Sequence, residues 1–437
     1  MNRLVSITGP SGVGKSTISK IILICLGYKD SVIISGDDCH LWERGDENWK
    51  FFTHLNPIAN DLSNEYDQIL SLLNNKTILR KKYDHSCGKF TDAVNVFPKK
   101  NIIYEGLHTM QGKLSGISDI SFYIDVEKTL KNEWKIYRDS NKRGYSIDKI
   151  VKTIENRKKD EIKFIEPQKS KCDVIIKFKK SIDGKINLSF DYKDVNLTGL
   201  INKIKKLYSL LQEFVWVSKQ ISKNIFLSQN KGGNLSFKFD DVIVITESGS
   251  SFNKINYLEG FGFYDLKGNS IFSDQKRPSM EIGCHLKLGP CCLHTHPLHL
   301  MAILCSKQSN TILERLYDNV KILDYCSPGK ELQNAIQYDK NLFLKNHGIF
   351  ISRESLVDCY NESLKYENEA KNFLHKKNKN KSFLFPDAFI LQNENQFYHS
   401  FIKDLAQTSG LTLDYLSEEE ILKLDNMEEE KYRKSIK

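Results

Sequence analysis

The sequence predicts an α/β protein of two domains. Residues 1–198 read as a parallel sheet covered by helices. Residues 199–410 read as an α/β domain with a central, mostly antiparallel sheet, and 411–437 as a charged helical tail. Three observations carry this. A glycine-rich loop, Gly9-Pro10-Ser11-Gly12-Val13-Gly14-Lys15-Ser16, separates a strand-like run from a helical one. Short apolar runs then alternate with helical stretches, the pattern of a helix-covered parallel sheet. From about Asp183 one run alternates like an exposed antiparallel strand, and the second half is richer in short strands.

The elements follow in order. Residues 1–10 give a short buried strand and a glycine turn, and residues 15–26 a helix. Val32–Ser35, Ile102–Tyr104 and Ser121–Val126 are apolar runs of strand type, separated by helices such as Ile58–Leu73 and Thr129–Asp139. Ile186–Phe190 alternates, with a turn at Asp183-Gly184. A helical pattern begins near Leu200, which places the domain boundary near residue 198. Val242–Thr246, Cys291–Thr295 and Leu342–Leu344 are the strands of the second half. Helices at Leu200–Ser222 and Glu354–Leu374 flank them. There is no internal repeat and no low-complexity segment.

The chain has 437 residues, 40% hydrophobic and 27% charged, so it reads as globular. Its net charge of +9 is scattered, without a basic tract, and no nucleic-acid-binding module is visible, so no nucleic-acid partner is expected. The ten cysteines form no paired Cys-x-x-Cys pattern. The N-terminal apolar run is too short for a secretory core, and Ile21–Leu26 is too short to span a bilayer. Reduced thiols, a cytoplasmic location and no membrane partner are the expectation.

The loop fits GxxxxGK[ST] without departure. Glycines let backbone N–H groups converge on phosphate oxygens, and the helix N-terminus adds partial positive charge. The nucleotide contacts are Gly9, Ser11, Gly12, Val13, Gly14, Lys15, Ser16 and Thr17. Lys15 neutralises β/γ-phosphate charge and Ser16 is placed for Mg²⁺, so ATP and Mg²⁺ are the cofactors expected here. Asp37, after the strand Val32–Ser35, can accept the proton of an attacking hydroxyl. Glu105, at the end of Ile102–Tyr104, suits the metal or its water.

This region resembles the phosphoribulokinase/uridine kinase family. The likeness runs through Ser35-Gly36-Asp37-Asp38, His54-Leu55-Asn56-Pro57-Ile58-Ala59-Asn60-Asp61, Tyr83-Asp84-His85 and Tyr104-Glu105-Gly106-Leu107-His108. It continues through Arg138–Gly144 and Ile165-Glu166-Pro167-Gln168, covering about the first 195 residues. It implies that Asp37 is the catalytic base and Glu105 the acidic metal-site residue. Arg138 and Arg143 match the lid arginines, with Arg157 a further candidate, and Tyr83 and His85 match the acceptor-binding segment. Cys39 stands in place of an aromatic residue, and Leu41-Trp42 in place of a basic pair. Both departures leave the acceptor open.

In the second half, His294-Thr295-His296 follows an apolar run. On a strand, residues i and i+2 share a side, so both imidazoles can serve one metal. His347 follows another apolar strand and can supply a third nitrogen. Three protein ligands with an open position is the arrangement of a catalytic zinc. A His-x-His pair alone is a weak signal. Its neighbours strengthen it: Lys231–Ser236 and Thr246-Glu247-Ser248-Gly249 offer donors to an anion, and Arg277–Glu281 adds a hydroxyl and a carboxylate.

This ordered set resembles the class II aldolase/adducin family over about residues 200–400. The resemblance implies zinc (Zn²⁺) on His294, His296 and His347, with Glu281 as the acid/base. It also implies a phosphate pocket of Asn234, Ser248, Gly249 and Ser279, and a homo-oligomer, commonly a tetramer. Met280 replaces a frequent second serine, and the stretch from Glu281 to His294 is shorter than usual. Cys284, Cys291 and Cys292 read as small core side chains, and His285 and His299 as packing or surface residues.

Together these readings predict a bifunctional carbohydrate enzyme acting on small sugars or sugar phosphates. One half is a kinase for a sugar hydroxyl; the other does zinc-dependent aldolase- or epimerase-type lyase chemistry on a phosphorylated ketose. The alternative is a uridine- or cytidine-type nucleoside kinase carrying a non-catalytic binding or oligomerisation domain.

Overall fold

The computed structural model describes residues 2–181, 185–257, 259–337, 340–377 and 394–435. The expected turn at Asp183-Gly184 lies outside them. The chain divides into two units, Met1–Tyr208 and Ser209–Lys437. The division falls inside one long helix.

In the first unit the strands are β1 (Arg3–Thr8), β2 (Ser31–Ser35), β3 (Ile78–Arg80), β4 (Tyr83–Asp84), β5 (Lys89–Phe90), β6 (Val94–Val96), β7 (Asn101–Glu105), β8 (Ile120–Val126), β9 (Val174–Lys180) and β10 (Ile186–Tyr192). Among the described residues the main sheet runs β10-β9-β8-β1-β7-β2. Its pairs are parallel except β9–β10 at one edge. The central strands β1 and β7 are buried along nearly their whole length because helices cover a parallel sheet on both faces. The alternation of β10 matches its edge position.

The helices are α1 (Lys15–Leu26), α2 (Leu62–Leu73), α3 (Lys128–Arg143), α4 (Ile147–Asp160) and α5 (Thr198–Ser222). The helix expected from Ile58 starts later, at Leu62. The Asn56 side chain accepts from Ile58 N and Pro57 opens a 3₁₀ turn, so residues 57–59 cannot begin an α-helix there. Asn60 is extended, and the Asp61 side chain caps α2 by accepting from Asn64 N. Helix α3 is longer than expected and ends at left-handed Gly144.

The second unit contains β11 (Asn234–Phe239), β12 (Val242–Thr246), β13 (Phe261–Asp265), β14 (Cys291–Thr295), β15 (Lys321–Leu323), β16 (Asn341–Leu344) and β17 (Gly348–Arg353). They form a sheet ordered β13-β12-β11-β14-β17-β16-β15, antiparallel except for the edge pair β15–β16. Its helices after α5 are α6 (Ile282–Lys287), α7 (Leu298–Leu304), α8 (Ser309–Leu316), α9 (Lys330–Ala335) and α10 (Leu356–Lys377). Helix α10 begins two residues later than expected. The Ser355 hydroxyl accepts from Asp358 N and so sets its N-terminus. Helices α11 (Glu394–Thr408), α12 (Glu418–Asn426) and α13 (Glu428–Ser435) complete the unit. Ser417 and Glu420 form a capping box on α12. Among the described residues no helix is long and apolar enough to cross a membrane.

Candidate functional site

Each unit carries one centre. In the first, β1, β7 and β2 are neighbours, and their carboxyl ends hold the glycine loop, Glu105 and Asp37 respectively. This is where ligands bind on open parallel sheets. The register pairs Ser35 with Glu105, so the two acids leave adjacent strands side by side. The loop packs tightly. Gly9 has φ +146°, and a Cβ there would lie 2.7 Å from Ile124 O, so only glycine fits.

Lys15 donates to the carbonyls of Gly9 and Pro10 at 3.0 and 2.9 Å. Burial lowers its pKa, while the Glu105 and Asp37 carboxylates support its charge. The Ser16 hydroxyl donates to Glu105 Oε1 at 3.3 Å, so the expected metal pair touches. Burial, then the Asp37 charge, pushes Glu105 up to about 7. Asp37 behaves differently. Burial would raise it, but a 2.9 Å hydrogen bond to His85 Nε2 and the charges of His40, His85 and Lys15 hold it below the usual carboxylate range. Its side chain still keeps about a third of its surface open, with a relative exposure of 36%.

The residues expected to bind the acceptor, Tyr83 and His85, lie beside Asp37. Arg143 Nη2 lies 3.4 Å from His85 Nδ1, which leaves Nε2–H to donate to Asp37. Tyr83 packs edge-on against both His40 and His85. His40, His54 and Trp49 form a ring cluster, and burial pushes His54 down to about 2.

Two groups here escaped the sequence reading. Lys135 is buried, packs its stem under Gly12 and reaches Ser11 Oγ at 3.5 Å. Burial lowers it to about 8. Buried Asp139 gathers Lys135, Arg138 and Arg143 at 3.3, 2.8 and 3.5 Å. The i, i+4 spacing of 135, 139 and 143 was the available signal. The second group is Arg80. It bonds both oxygens of buried Glu65, then Gln68, Ser35 O and Asp38. Asp38 in turn accepts from Tyr83 N at 2.8 Å. The network ties the end of β2 to the segment at Tyr83.

In the second unit β14 lies between β11 and β17, and His294 and His296 project from its end. His347 immediately precedes β17. One nitrogen from each imidazole lies within 4.8 Å of the others, as a shared metal requires. His294 Nδ1 donates to Ile349 O at 2.9 Å, which leaves its Nε2 lone pair for a metal. That Nε2 is 2.9 Å from His296 Nε2. For tetrahedral zinc with Zn–N near 2.0–2.1 Å, donors about 3.3 Å apart are needed, so the His294–His296 pair would open by a few tenths of an ångström. Gly348 makes room: a Cβ there would strike Thr295 O and the His296 ring.

Glu281 is buried beside this trio. Its Oε1 is 3.2 Å from His347 Nε2, and its Oε2 is 3.5 Å from His294 Nε2. Burial would raise the carboxyl, but His294, His347 and the Asn234 amide hold it well below the usual range. Asn234, Ser248, Gly249 and Ser279 line one pocket with Glu281 and the histidines. Thr246, in the same pocket, carries a buried hydroxyl that has no hydrogen-bond partner among the described residues. Asn234 is more engaged than the sequence suggested: its amide donates to Glu281 Oε2 at 2.6 Å and its oxygen meets His285. His285 and His299 are both buried and hydrogen-bonded, His299 to Glu367 at 2.5 Å. Cys284 and Cys292 sit in the apolar core.

Residues 4–183 match the family model described as Phosphoribulokinase / Uridine kinase family. Residues 212–374 match Class II Aldolase and Adducin N-terminal domain. Among curated proteins, the phosphoribulokinase of Synechocystis sp. is 33% identical over 174 residues, 40% of this chain and 52% of that protein. The uridine kinase of Bacillus subtilis is 30% identical over 181 residues, 40% of this chain and 84% of that protein. The chain thus spans about half the length of the phosphoribulokinases it matches. Among solved structures, the N-terminal class II aldolase domain of a conserved protein from Thermoplasma acidophilum is 21% identical. Its TM-score is 0.35, over 38% of this chain and 93% of that one.

Proposed function

The chain belongs to the phosphoribulokinase/uridine kinase family and carries a class II aldolase domain behind its family region, and from this premise we propose that it is a bifunctional sugar-phosphate enzyme. Its first centre would phosphorylate a sugar hydroxyl with ATP. Its second would act on a phosphorylated ketose. The observation that carries the second activity is the convergence of three imidazole nitrogens beside a buried carboxylate.

At the first centre the loop N–H groups and Lys15 would hold the phosphates, and Ser16 with Glu105 would hold Mg²⁺. Asp37, kept ionised and oriented by His85, would accept the hydroxyl proton. Arg138, Arg143 and Lys135, gathered by Asp139, would face the charge that develops on the transferred group. At the second centre His294, His296 and His347 would hold zinc, which supplies Lewis-acid stabilisation of an oxyanion next to a carbonyl. Glu281 would carry the proton at Oε1. Ser248, Ser279 and the Thr246 hydroxyl would bind the substrate phosphate.

The test is ATP consumption across a panel of pentoses, ketoses and nucleosides, together with metal analysis of native protein. Phosphorylation of sugars and one zinc per chain support the proposal. Phosphorylation confined to uridine or cytidine, with no bound metal, would replace it with a nucleoside kinase bearing an accessory domain.

A further inference from the structure

The hydrogen-bond polarity around Glu281 extends past the pocket into the core, through Asn234 to the fully buried His285. We infer that His285, held by Ser236, is a positioning residue that fixes the Asn234 amide so that it donates to Glu281. The inference rests on reading Glu281 as the proton carrier.

Two ladders meet here. Glu281 precedes α6, and His285 N donates to Glu281 O, so the two side chains lie one turn apart on one face. Asn234 and Ser236 are i and i+2 on β11 and share a face of the sheet. One helical turn and two strand residues span similar lengths, about 5–7 Å. Asn234 therefore bridges Glu281 and His285, while Ser236 closes the far side of the ring. Ser236 Oγ lies 2.6 Å from His285 Nδ1, and Asn234 Oδ1 meets His285 Nε2. All four side chains belong to residues no more than 5% exposed.

Every direction follows from the carboxylate. Glu281 Oε2 accepts from the Asn234 NH₂ at 2.6 Å, which fixes the direction of the amide. Asn234 Oδ1 then faces His285, whose Nε2 must carry the proton. Nδ1 is left with a lone pair, which accepts the Ser236 hydroxyl. A flipped amide would set its oxygen against the Glu281 carboxylate and shift the ring proton to Nδ1, toward Ser236 Oγ, so the His285 tautomer reports which way the amide points. The ring is further fixed edge-on to Phe350, on which His294 also stacks. With Oε2 committed to Asn234, Oε1 faces His347 Nε2 at 3.2 Å, on the side of the proposed metal ligands, as the proton-moving oxygen should.

The experiment uses the full chain labelled with ¹⁵N-histidine. The expected result is a neutral His285 with a slowly exchanging Nε2–H; an Nδ1–H tautomer would overturn the inference. A second arm compares His285→Gln, whose amide N–H can replace Nε2–H, with His285→Leu and the milder Ser236→Ala. The Asn234 amide protons should stay protected in His285→Gln and exchange rapidly in His285→Leu. Where ketose-phosphate turnover is measured, His285→Leu should lower kcat about 10–100-fold with KM and zinc content unchanged, and His285→Gln should recover most of it. Equal behaviour of the Gln and Leu variants would overturn the positioning role. Undiminished turnover in Glu281→Gln would remove the proton-carrier reading instead, and the tautomer would still judge the hydrogen-bond chain by itself.

Discussion

Replacing Arg80 by methionine should be one of the most damaging single changes in the first unit. Arg80 and Glu65 are 5% and 1% exposed, and the guanidinium makes five hydrogen bonds, two of them to Glu65. Burial already raises the Glu65 carboxyl even with its partner in place. Removing the partner leaves a buried carboxylate with no compensating charge, which costs about 3–5 kcal/mol. The lone carboxyl would then take up a proton on folding. Its folded pKa lies above its unfolded one, so the native state binds the extra proton and the variant loses further stability as pH rises. The double variant Arg80→Met/Glu65→Leu removes both charges and should recover most of the loss, because a buried pair is often replaceable by apolar groups at little cost. The assay is urea unfolding followed by tryptophan fluorescence in a Trp216→Phe background, which leaves Trp42, Trp49 and Trp134 of the first unit as reporters, with no assumption that the two units melt together. A single variant within about 1 kcal/mol of wild type at neutral pH, or a double variant no better than the single, would refute the reasoning.

Other outcomes follow from the same geometry. Asp37→Asn should lower the phosphorylation kcat about 10²–10⁴-fold while nucleotide affinity, measured by calorimetry, stays close to wild type. Glu105 titrates near 7 in the folded chain against an ordinary value of 4.5, so the native state holds the extra proton between those values. Stability from this group should therefore fall by roughly 3 kcal/mol as pH rises from about 4.5 to 7, and Glu105→Gln should flatten that slope in pH-dependent denaturation. His294→Ala/His296→Ala should bind no zinc by elemental analysis while ATP turnover continues. Asp139→Asn should release Lys135, Arg138 and Arg143 and weaken ATP binding about tenfold, measured as KM for ATP.

Much of the fold could be read from short-range pattern. The glycine loop, Val242–Thr246 and Cys291–Thr295 are legible because sequence neighbours make them: strand, turn and helix, or a run of apolar residues between turns. The helix start at Leu62 was missed because side-chain caps at Asn56 and Asp61 outweigh an apolar pattern that begins at Ile58. The site divides the same way. His294 and His296 share a strand face, which spacing reveals. Arg80 reaches Glu65, Ser35 and Asp38 from another part of the chain, and nothing local in the sequence pairs them. His285 stands four residues after Glu281, a helical spacing visible in retrospect. Its second partner, Asn234, comes from a strand about fifty residues earlier, so spacing alone left it a packing or surface residue.

The proposed pairing of two chemistries in one chain is tested most directly by product mass spectrometry. The full-length protein is given ATP, Mg²⁺, zinc and a library of free sugars, sugar phosphates and nucleosides. The expected result is a new sugar phosphate that disappears after Asp37→Asn, and a rearranged or cleaved ketose phosphate that disappears after Glu281→Gln while the first product persists. Phosphorylated nucleosides alone, or a ketose-phosphate product that survives the loss of Glu281 and of the three histidines, would contradict it.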